Sequence, residues 1–262
     1  MNFSFIIITD GSNDSRIDLI IDSIEHSYES RIDDVINCSY EIIVVGNSKI
    51  KRSKAKVVNF DEKIKDRWIT RKKNIGIKES QYENIVLMHD YICIDECWFS
   101  GFLKYGQDFK VCMNKIENFD KKRFTDWTLC VTFYNYFKEA LSLRKHEVLL
   151  PYDIGGKYTE LMYISGAYWV AKKSVMQEFL LDERKSWGES EDVEWSCRVR
   201  SKYRFSFNPY SNVKIIKKGK RNPRIVINSN ALKFLKSLSD KEIKTISDDC
   251  LREFSKNNPG FL

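Results

Sequence analysis

The chain has 262 residues, of which 42% are hydrophobic and 31% charged, a composition typical of a folded globular protein and not of a disordered one. Its net charge of +7 is compatible with a partner that carries phosphates, with an anionic membrane surface or with nucleic acid, and so excludes few of them. The first apolar run, Phe5 to Ile8, is too short to cross a bilayer, and Asp10 follows it closely. We therefore expect a strand there, not a signal peptide.

The seven cysteines are predicted to be reduced thiols. Their number is odd and no CxxC pair occurs, so neither a disulfide framework nor a structural zinc site is expected. Together with the absence of a predicted signal peptide, this favours a cytoplasmic location. The positive charge leaves open a peripheral contact with the inner face of a membrane.

The first ninety residues alternate between apolar strands and amphipathic helices. Strands are predicted over 3–9, 41–45, 56–60 and 84–88, and helices over 16–28 and 69–80. This order predicts an α/β fold whose central sheet is mostly parallel and is flanked by helices.

The second half of the chain is less regular. A strand is predicted over 163–171 and a helix over 173–181. Two helical segments follow residue 230, and the second begins at a capping box formed by Ser239 and Glu242. We therefore divide the chain into a main domain, 1–228, and a helical C-terminal extension, 229–262.

Polar residues follow three of the predicted strands. These residues are Thr9-Asp10-Gly11, Gly46-Asn47 and His89-Asp90. In open α/β sheets, ligands bind beyond the carboxyl ends of the strands. The three groups are therefore expected to face one crevice.

An acidic segment, residues 187–195, places four carboxylates and two tryptophans within Trp187-Gly188-Glu-Ser-Glu191-Asp192-Val-Glu-Trp. Clustered acids raise the cost of ionising one another. A site that deprotonates a sugar hydroxyl explains the cluster, because a carboxylate can act as general base and an aromatic ring can pack against a sugar. The alternative is an ordinary helix start, where acids interact favourably with the helix dipole.

In this order, the elements resemble the GT-A glycosyltransferases, in particular the inverting family 2 type. In that family a strand ends in a DxD-like motif and a downstream Glu-Asp pair supplies the catalytic base. Here His89-Asp90-Tyr91 and Glu191-Asp192 occupy these places. Residues 72–77 are similar to the family's Arg-Asn-x-Gly segment, and residues 187–192 to the Trp-Gly-x-Glu-Asp element of several galactosyl- and hexosaminyltransferases. The resemblance covers roughly residues 3–216 and makes 1–228 the catalytic domain.

The resemblance implies a hexosyltransferase that moves a sugar from a nucleotide-sugar donor, most simply a UDP-sugar, to a saccharide or glycolipid acceptor in polysaccharide or glycan biosynthesis. Transfer would invert the anomeric centre by single displacement. Asp192 is implied as the general base and Glu191 as its acceptor-binding neighbour and the next candidate for the base. Trp187 and Gly188 are the other implied acceptor contacts.

The nucleotide is expected to bind at the strand ends. Its predicted contacts are Thr9, Asp10, Gly11, Asn47, Lys73, His89 and Asp90. Many relatives carry an aspartate where Asn47 stands, so the amide of Asn47 would have to read the base. For Lys73, a solvated position on the helix surface is an equally good interpretation.

A metal ion is implied by the DxD-like motif but only partly supported by it. Asp90 takes the position most used for Mn²⁺ or Mg²⁺, and His89 could be a second ligand, whereas Tyr91 cannot replace a carboxylate. No histidine follows the Glu191-Asp192 pair, where many relatives carry a third ligand. The alternative role for Asp90 is to cap a loop at the strand end.

Two other functions stay open at this point. A sugar-phosphate nucleotidyltransferase would need a basic, glycine-rich loop after the first strand, and the turn there is acidic. A basic nucleic-acid or anionic-surface binding domain could use the segment Lys214–Arg221. Because that cluster is short and local, membrane or phosphate contact is the preferred interpretation, and no nucleic acid is expected as a partner.

Overall fold

The computed structural model describes residues 1–30, 38–129, 148–152, 156–217, 225–226 and 229–257. Four parallel strands form one half of its central sheet, in the spatial order β3-β2-β1-β4. They are β1 (Phe3–Ile8), β2 (Tyr40–Val45), β3 (Ala55–Val58) and β4 (Asn84–His89). Their connections include helices α1 (Asp14–Glu29) and α2 (Ile69–Glu79). The predicted order of strands and helices over this half is confirmed.

Strand β1 is buried along its whole length because its side chains meet a helix on each face. Phe5 packs on Trp98, with ring centroids 5.1 Å apart, on the side of helix α3 (Trp98–Tyr105). Ile6 points the other way, against Gly76 of α2. This two-sided burial explains why β1 is an uninterrupted apolar run and not an alternating one.

The central sheet has eight strands and continues past β4 through β10 (Tyr168–Lys172), β6 (Val111–Glu117), β11 (Phe205–Ile215) and β5 (Ile92–Ile94). Strands β10 and β5 run antiparallel to their neighbours, and the other strands share one direction. The mixed α/β fold with a mostly parallel sheet is therefore as predicted. Strands β5, β6 and β11 and helix α3 were not predicted.

A second, smaller sheet has the order β12-β8-β7-β9. Its strands are β7 (Trp127–Leu129), β8 (Val148–Leu149), β9 (Met162–Ile164) and β12 (Ile225–Val226). The prediction of a single strand over 163–171 is wrong, because Ser165-Gly166-Ala167 forms a turn that sends β9 and β10 into different sheets. The small side chains of this turn allow it to lie against the helix that begins at Glu191.

Helices α4 (Lys173–Glu178) and α5 (Glu191–Arg200) follow β10. Helix α4 ends three residues earlier than the predicted helix over 173–181. Helix α5 begins inside the acidic segment, with Ser190 as its N-cap residue. The structure thus places Glu191 and Asp192 in the first turn of a helix.

The chain's C-terminal part is helical, with α6 (Ser229–Ser237) and α7 (Asp240–Asn257). The predicted capping box is present, since Ser239 N donates to Glu242 Oε2 at 2.7 Å and Glu242 N donates to Ser239 Oγ at 3.3 Å. Helix α7 buries Ile243, Ile246 and Cys250 and packs against the 3-10 helix Gly156–Leu161. The boundary between two domains at residue 228 stays a prediction.

Within these described ranges, no helix combines the length and the apolar character that crossing a membrane requires. Of the basic segment Lys214–Arg221, residues 218–221 lie outside the described residues. The predicted cellular location and membrane contact stay predictions.

Candidate active site

The loops that follow β1 and β2 touch each other through two glycines. Gly11 has a φ of +79°, and a Cβ there would overlap the carbonyl oxygen of Asn47. Gly46 has a φ of +149°, and a Cβ there would overlap the carbonyl oxygen of Thr9. Such backbone angles and contacts are open to glycine and strained for other residues. Gly11 and Gly46 therefore fix the shape of this end of the sheet, and the side chain of Asn47 is left exposed at its edge.

The end of β4 joins the same place through Asp90. Its backbone N–H donates to Ile8 O at 3.1 Å, and its carboxylate accepts a 2.9 Å hydrogen bond from Thr9 Oγ1. Thr9 Oγ1 in turn accepts the backbone N–H of Gly11 at 3.0 Å. The polar residues that follow β1, β2 and β4 thus lie together at one edge of the sheet, and the crevice expected there stays a prediction. Their predicted roles in nucleotide binding stay predictions.

Helix α2 carries two consecutive buried lysines, Lys72 and Lys73, and Lys72 contacts the residue that follows β1. Lys72 donates through Nζ to Thr9 O at 2.9 Å and to the carboxylate of Glu62 at 2.9 and 3.1 Å. Successive helical residues point about 100° apart, so Lys73 reaches a different place. Sequence reasoning named Lys73 as a site residue but not Lys72. Both lysines are buried.

Lys73 lies at the acid pair Glu191-Asp192. It does not lie at the end of β4 formed by His89 and Asp90, which we call the Asp90 tip. Its side chain is fully buried, and Nζ donates to Gly166 O at 3.0 Å and lies 3.8 Å from Glu191 Oε1. The ring of Trp169 covers it, with Nζ 4.6 Å from the ring centroid. Burial lowers the pKa of Lys73. The alternative interpretation as a solvated helix lysine is wrong.

The turn between β9 and β10 holds the acid pair in place. Gly166 N donates to Asp192 Oδ2 at 2.8 Å. A Cβ on Gly166 would lie 2.9 Å from Glu191 Oε1 and 3.0 Å from Asp192 Oδ2, so this approach depends on a glycine. His89 N donates to Ala167 O at 3.0 Å. This bond joins the turn to the end of β4, and the acid pair is therefore connected to the end of β4 through hydrogen bonds.

Both carboxylates of the pair are harder to ionise than usual. Burial raises the pKa of Asp192, and it raises the pKa of Glu191, to which the neighbouring charge of Asp192 also contributes. The charge of Lys73 and, for Asp192, the N–H of Gly166 act in the opposite direction. A carboxylate with a raised pKa is a better proton acceptor near neutral pH than an exposed one.

An exposed aromatic ring lies just before the pair. Trp187 is 52% exposed, its backbone N–H donates to Arg67 O at 3.0 Å, and the Arg67 guanidinium lies 5.3 Å from the centroid of its ring. Arg67, Gly188 and Ser190 all have positive φ angles, of 51°, 87° and 59°. The positive φ angles of Arg67 and Ser190 are strained for residues with a side chain and persist only where the surrounding structure holds them, so the backbone on both sides of this contact has a defined shape.

The other acids and the second tryptophan of the segment have structural partners. Glu194 forms an ion pair with Arg198, and Glu189 accepts the N–H of Ser186 at 2.6 Å. Trp195 is fully buried beside Trp169, with ring centroids 5.3 Å apart. Only part of the acidic segment is thus available for chemistry.

The Asp90 tip does not fit a divalent cation. Asp90 Oδ2 bonds Thr9 and lies 3.6 Å from the guanidinium of Arg16, whose positive charge would repel a second cation at that oxygen. Asp95, the next aspartate after Asp90 in the sequence, follows the last residue of β5, and its carboxylate pairs with Lys214 at 2.7 Å. In the described part of the chain, no three His, Cys, Asp or Glu side chains come together to hold a metal ion.

Comparison with solved structures identifies the fold as the GT-A glycosyltransferase fold. GalNAc-T7, solved with UDP, GalNAc and Mn²⁺, matches over 97% of this chain and 56% of its own, with a TM-score of 0.55 and 12% identity. S. aureus TarS 1-349 in complex with UDP-GlcNAc matches over 100% of this chain and 75% of its own, with a TM-score of 0.54 and 13% identity. A structure of S. aureus TarS matches over 97% of this chain and 44% of its own.

At these identities the similarity establishes the fold alone. The chain spans 56% of GalNAc-T7 and 44% of that TarS structure, so it corresponds to about half of each. No family model matches the sequence, and no curated protein matches it.

Proposed function

We propose that the protein is a glycosyltransferase that uses a nucleotide-sugar donor. The observation that carries this proposal is that two regions with different chemistry are connected at one edge of the sheet. One is suited to a nucleotide and the other to proton transfer. The Asp90 tip and the acid pair are connected through the hydrogen bond from His89 N to Ala167 O and the one from Gly166 N to Asp192. A nucleotide at the first region would place its sugar toward the second.

The donor nucleotide is proposed to lie across the ends of β1, β2 and β4. The backbone of Thr9 and Gly11, the carboxylate of Asp10 and the amide of Asn47 face this end of the sheet and would contact the base and ribose. His89, beside the turn that carries Gly166, would border the phosphates. We assign Lys73 to the acid pair instead of the nucleotide, because its ammonium group is held there by Gly166 O.

Asp192 is proposed to take the proton of the acceptor hydroxyl as its oxygen attacks the anomeric carbon. The bond from that carbon to the diphosphate breaks, and its electron pair stays on the phosphate oxygen. A base positioned in this way contributes on the order of 10²–10⁴-fold in rate. Attack from the face opposite the leaving group inverts the anomeric centre. Glu191 is proposed to bind the acceptor, and it is the next candidate for the base.

The acceptor is proposed to be a saccharide or a glycolipid that packs on Trp187. The exposed ring of Trp187 lies four residues before Glu191 in the chain and offers an apolar face for a sugar. Gly188 would allow close approach to the backbone, since nothing lies within 4 Å of the position of its absent side chain. Polysaccharide or glycan biosynthesis in the cytoplasm would be the setting.

The test is a panel of UDP-, GDP-, CMP- and dTDP-sugars, in which thermal stabilisation and release of the free nucleotide are measured. UDP-sugars come first, since GalNAc-T7 and S. aureus TarS were solved with UDP or UDP-GlcNAc. We expect one donor to stabilise the protein and to release its nucleotide faster when saccharide acceptors are added. If no member of the panel binds, the proposed function is wrong.

A further inference from the structure

Arg16 is a cation at the Asp90 tip with unused hydrogen-bonding capacity. It belongs to the first turn of α1, and its guanidinium lies 3.6 Å from Asp90 Oδ2. Its Nε is buried and makes no hydrogen bond within the described ranges, although a guanidinium carries five N–H donors. The side chain keeps 21% of its surface exposed. Donors of this kind are suited to the oxygens of a phosphate group.

Lys217 is a second cation near the Asp90 tip. It follows β11, where Ile216 N donates to Tyr91 O at 3.0 Å and thereby brings the chain beside the Asp90-Tyr91 turn. Burial raises the pKa of Asp90, and the charges of Arg16 and Lys217 act against this rise, as expected of cations close to it. Lys217 itself is exposed, so its ammonium group is accessible to a ligand.

The sequence after β11 supplies cations and no metal ligands of the usual kind. From residue 215 to residue 239 there is no aspartate, glutamate or histidine, whereas lysine and arginine recur. Among the described residues, the cations near the tip are Arg16 and Lys217. Of the two carboxylates there, Asp90 lies 3.6 Å from the guanidinium of Arg16, and Asp10 is close enough for its charge to act on Asp90.

We propose that Arg16 and Lys217 bind the diphosphate of the donor and supply the positive charge that a divalent cation would otherwise supply. This inference rests on the proposed function. When the bond between the anomeric carbon and the diphosphate breaks, the leaving group gains one negative charge, and the two cations compensate it. Asp90 is then a positioning residue, which holds Arg16 through the ion pair and is itself held by Thr9.

The experiment is calorimetric titration of the protein with UDP and with uridine, in EDTA and then in millimolar Mn²⁺. If the panel above selects another base, the matching nucleoside diphosphate and nucleoside are used. We expect UDP to bind in EDTA, with an affinity that Mn²⁺ changes less than about threefold. Arg16→Gln should weaken UDP binding about 10–100-fold, the range for loss of a charged hydrogen bond, and leave uridine binding unchanged. Lys217→Gln should weaken UDP binding by a smaller factor.

The control is Lys51→Gln, which removes one exposed positive charge from the loop after β2 without a contact to Asp90. It should bind UDP as the unaltered protein does. Arg16→Lys should recover part of the affinity, because it restores the charge without the paired donors. Retained uridine binding shows that the variants are folded.

Two failures are distinguishable. If UDP binds only with Mn²⁺ and Arg16→Gln leaves its affinity unchanged, a metal ion provides the charge and the inference is wrong, while the proposed function stands. If neither UDP nor any other nucleoside diphosphate binds with or without Mn²⁺, the proposed function itself fails.

Discussion

The ammonium group of Lys73 lies 3.8 Å from Glu191 Oε1, and the Lys73 side chain is fully buried. Removing one member of a buried ion pair leaves the other charge without compensation. Lys73 therefore does more than fill space beneath the acid pair. Its charge makes the ionised forms of Glu191 and Asp192 easier to reach, against the effect of burial.

Replacing Lys73 by methionine should shift the pH dependence of sugar transfer. Lys73 lowers the pKa of Asp192, which burial raises. Its loss should raise that pKa further, so that at a given acidic pH a smaller fraction of Asp192 can accept a proton. The transfer rate at saturating donor should then fall at a higher pH in Lys73→Met than in the unaltered protein. This is measured as the acid limb of the kcat profile.

Lys72→Met is the matched control, since Lys72 is also a buried lysine of α2 but contacts Thr9 O and Glu62. Its acid limb should stay in place. An unshifted acid limb in a folded Lys73→Met variant would show that Lys73 does not act on the base.

Gly11→Ala should destabilise the protein strongly. Its φ of +79° is unfavourable for alanine, and the new Cβ would overlap the carbonyl oxygen of Asn47. Gly106→Ala is the control, because Gly106 has a φ of +93° with nothing within 4 Å of the added Cβ. Backbone strain alone costs about 1–3 kcal/mol, and the overlap should add about another 1–3 kcal/mol. Urea unfolding of both variants measures the difference, and equal destabilisation would argue against the close approach of the two loops.

Trp187→Ala should weaken acceptor binding and leave the fold unchanged. The ring is 52% exposed, so its loss should lower the free energy of unfolding less than loss of a fully buried ring such as that of Trp195. The acceptor KM should rise, because a sugar would lose its apolar contact surface, while donor affinity stays the same. Tyr210→Ala is the matched control, since Tyr210 is 44% exposed and also carries a cation over its ring, Lys104 at 4.2 Å. A similar rise in acceptor KM for both variants would refute the assignment of Trp187.

The grouping of polar residues at the strand ends could be predicted from the sequence because it depends on local patterns. Apolar runs define β1, β2 and β4, and the parallel order of such strands brings Thr9 and Asp90 to one edge. The acid pair was also visible, as a dense local cluster. These features require no knowledge of distant contacts.

The charge partners of the site could not be predicted in the same way. Lys73 meets Gly166, which is 93 residues away in the sequence, and its burial follows from that packing alone. Nothing in the sequence around Arg16 or Lys217 distinguishes them from surface cations. The small residues Ser165-Gly166-Ala167 were a signal for the turn, but the apolar residues on both sides favoured a continuous strand.

The most direct test of the proposed function is the transfer rate of Asp192→Asn at saturating donor, measured together with its donor affinity. Asparagine keeps the shape and can still accept the N–H of Gly166, but it cannot take a proton from the acceptor. We expect the rate to fall on the order of 10²–10⁴-fold while donor affinity changes little, because the diphosphate is proposed to bind at the Asp90 tip and not at Asp192. A near-normal transfer rate in Asp192→Asn would contradict the account and make Glu191 the next residue to test.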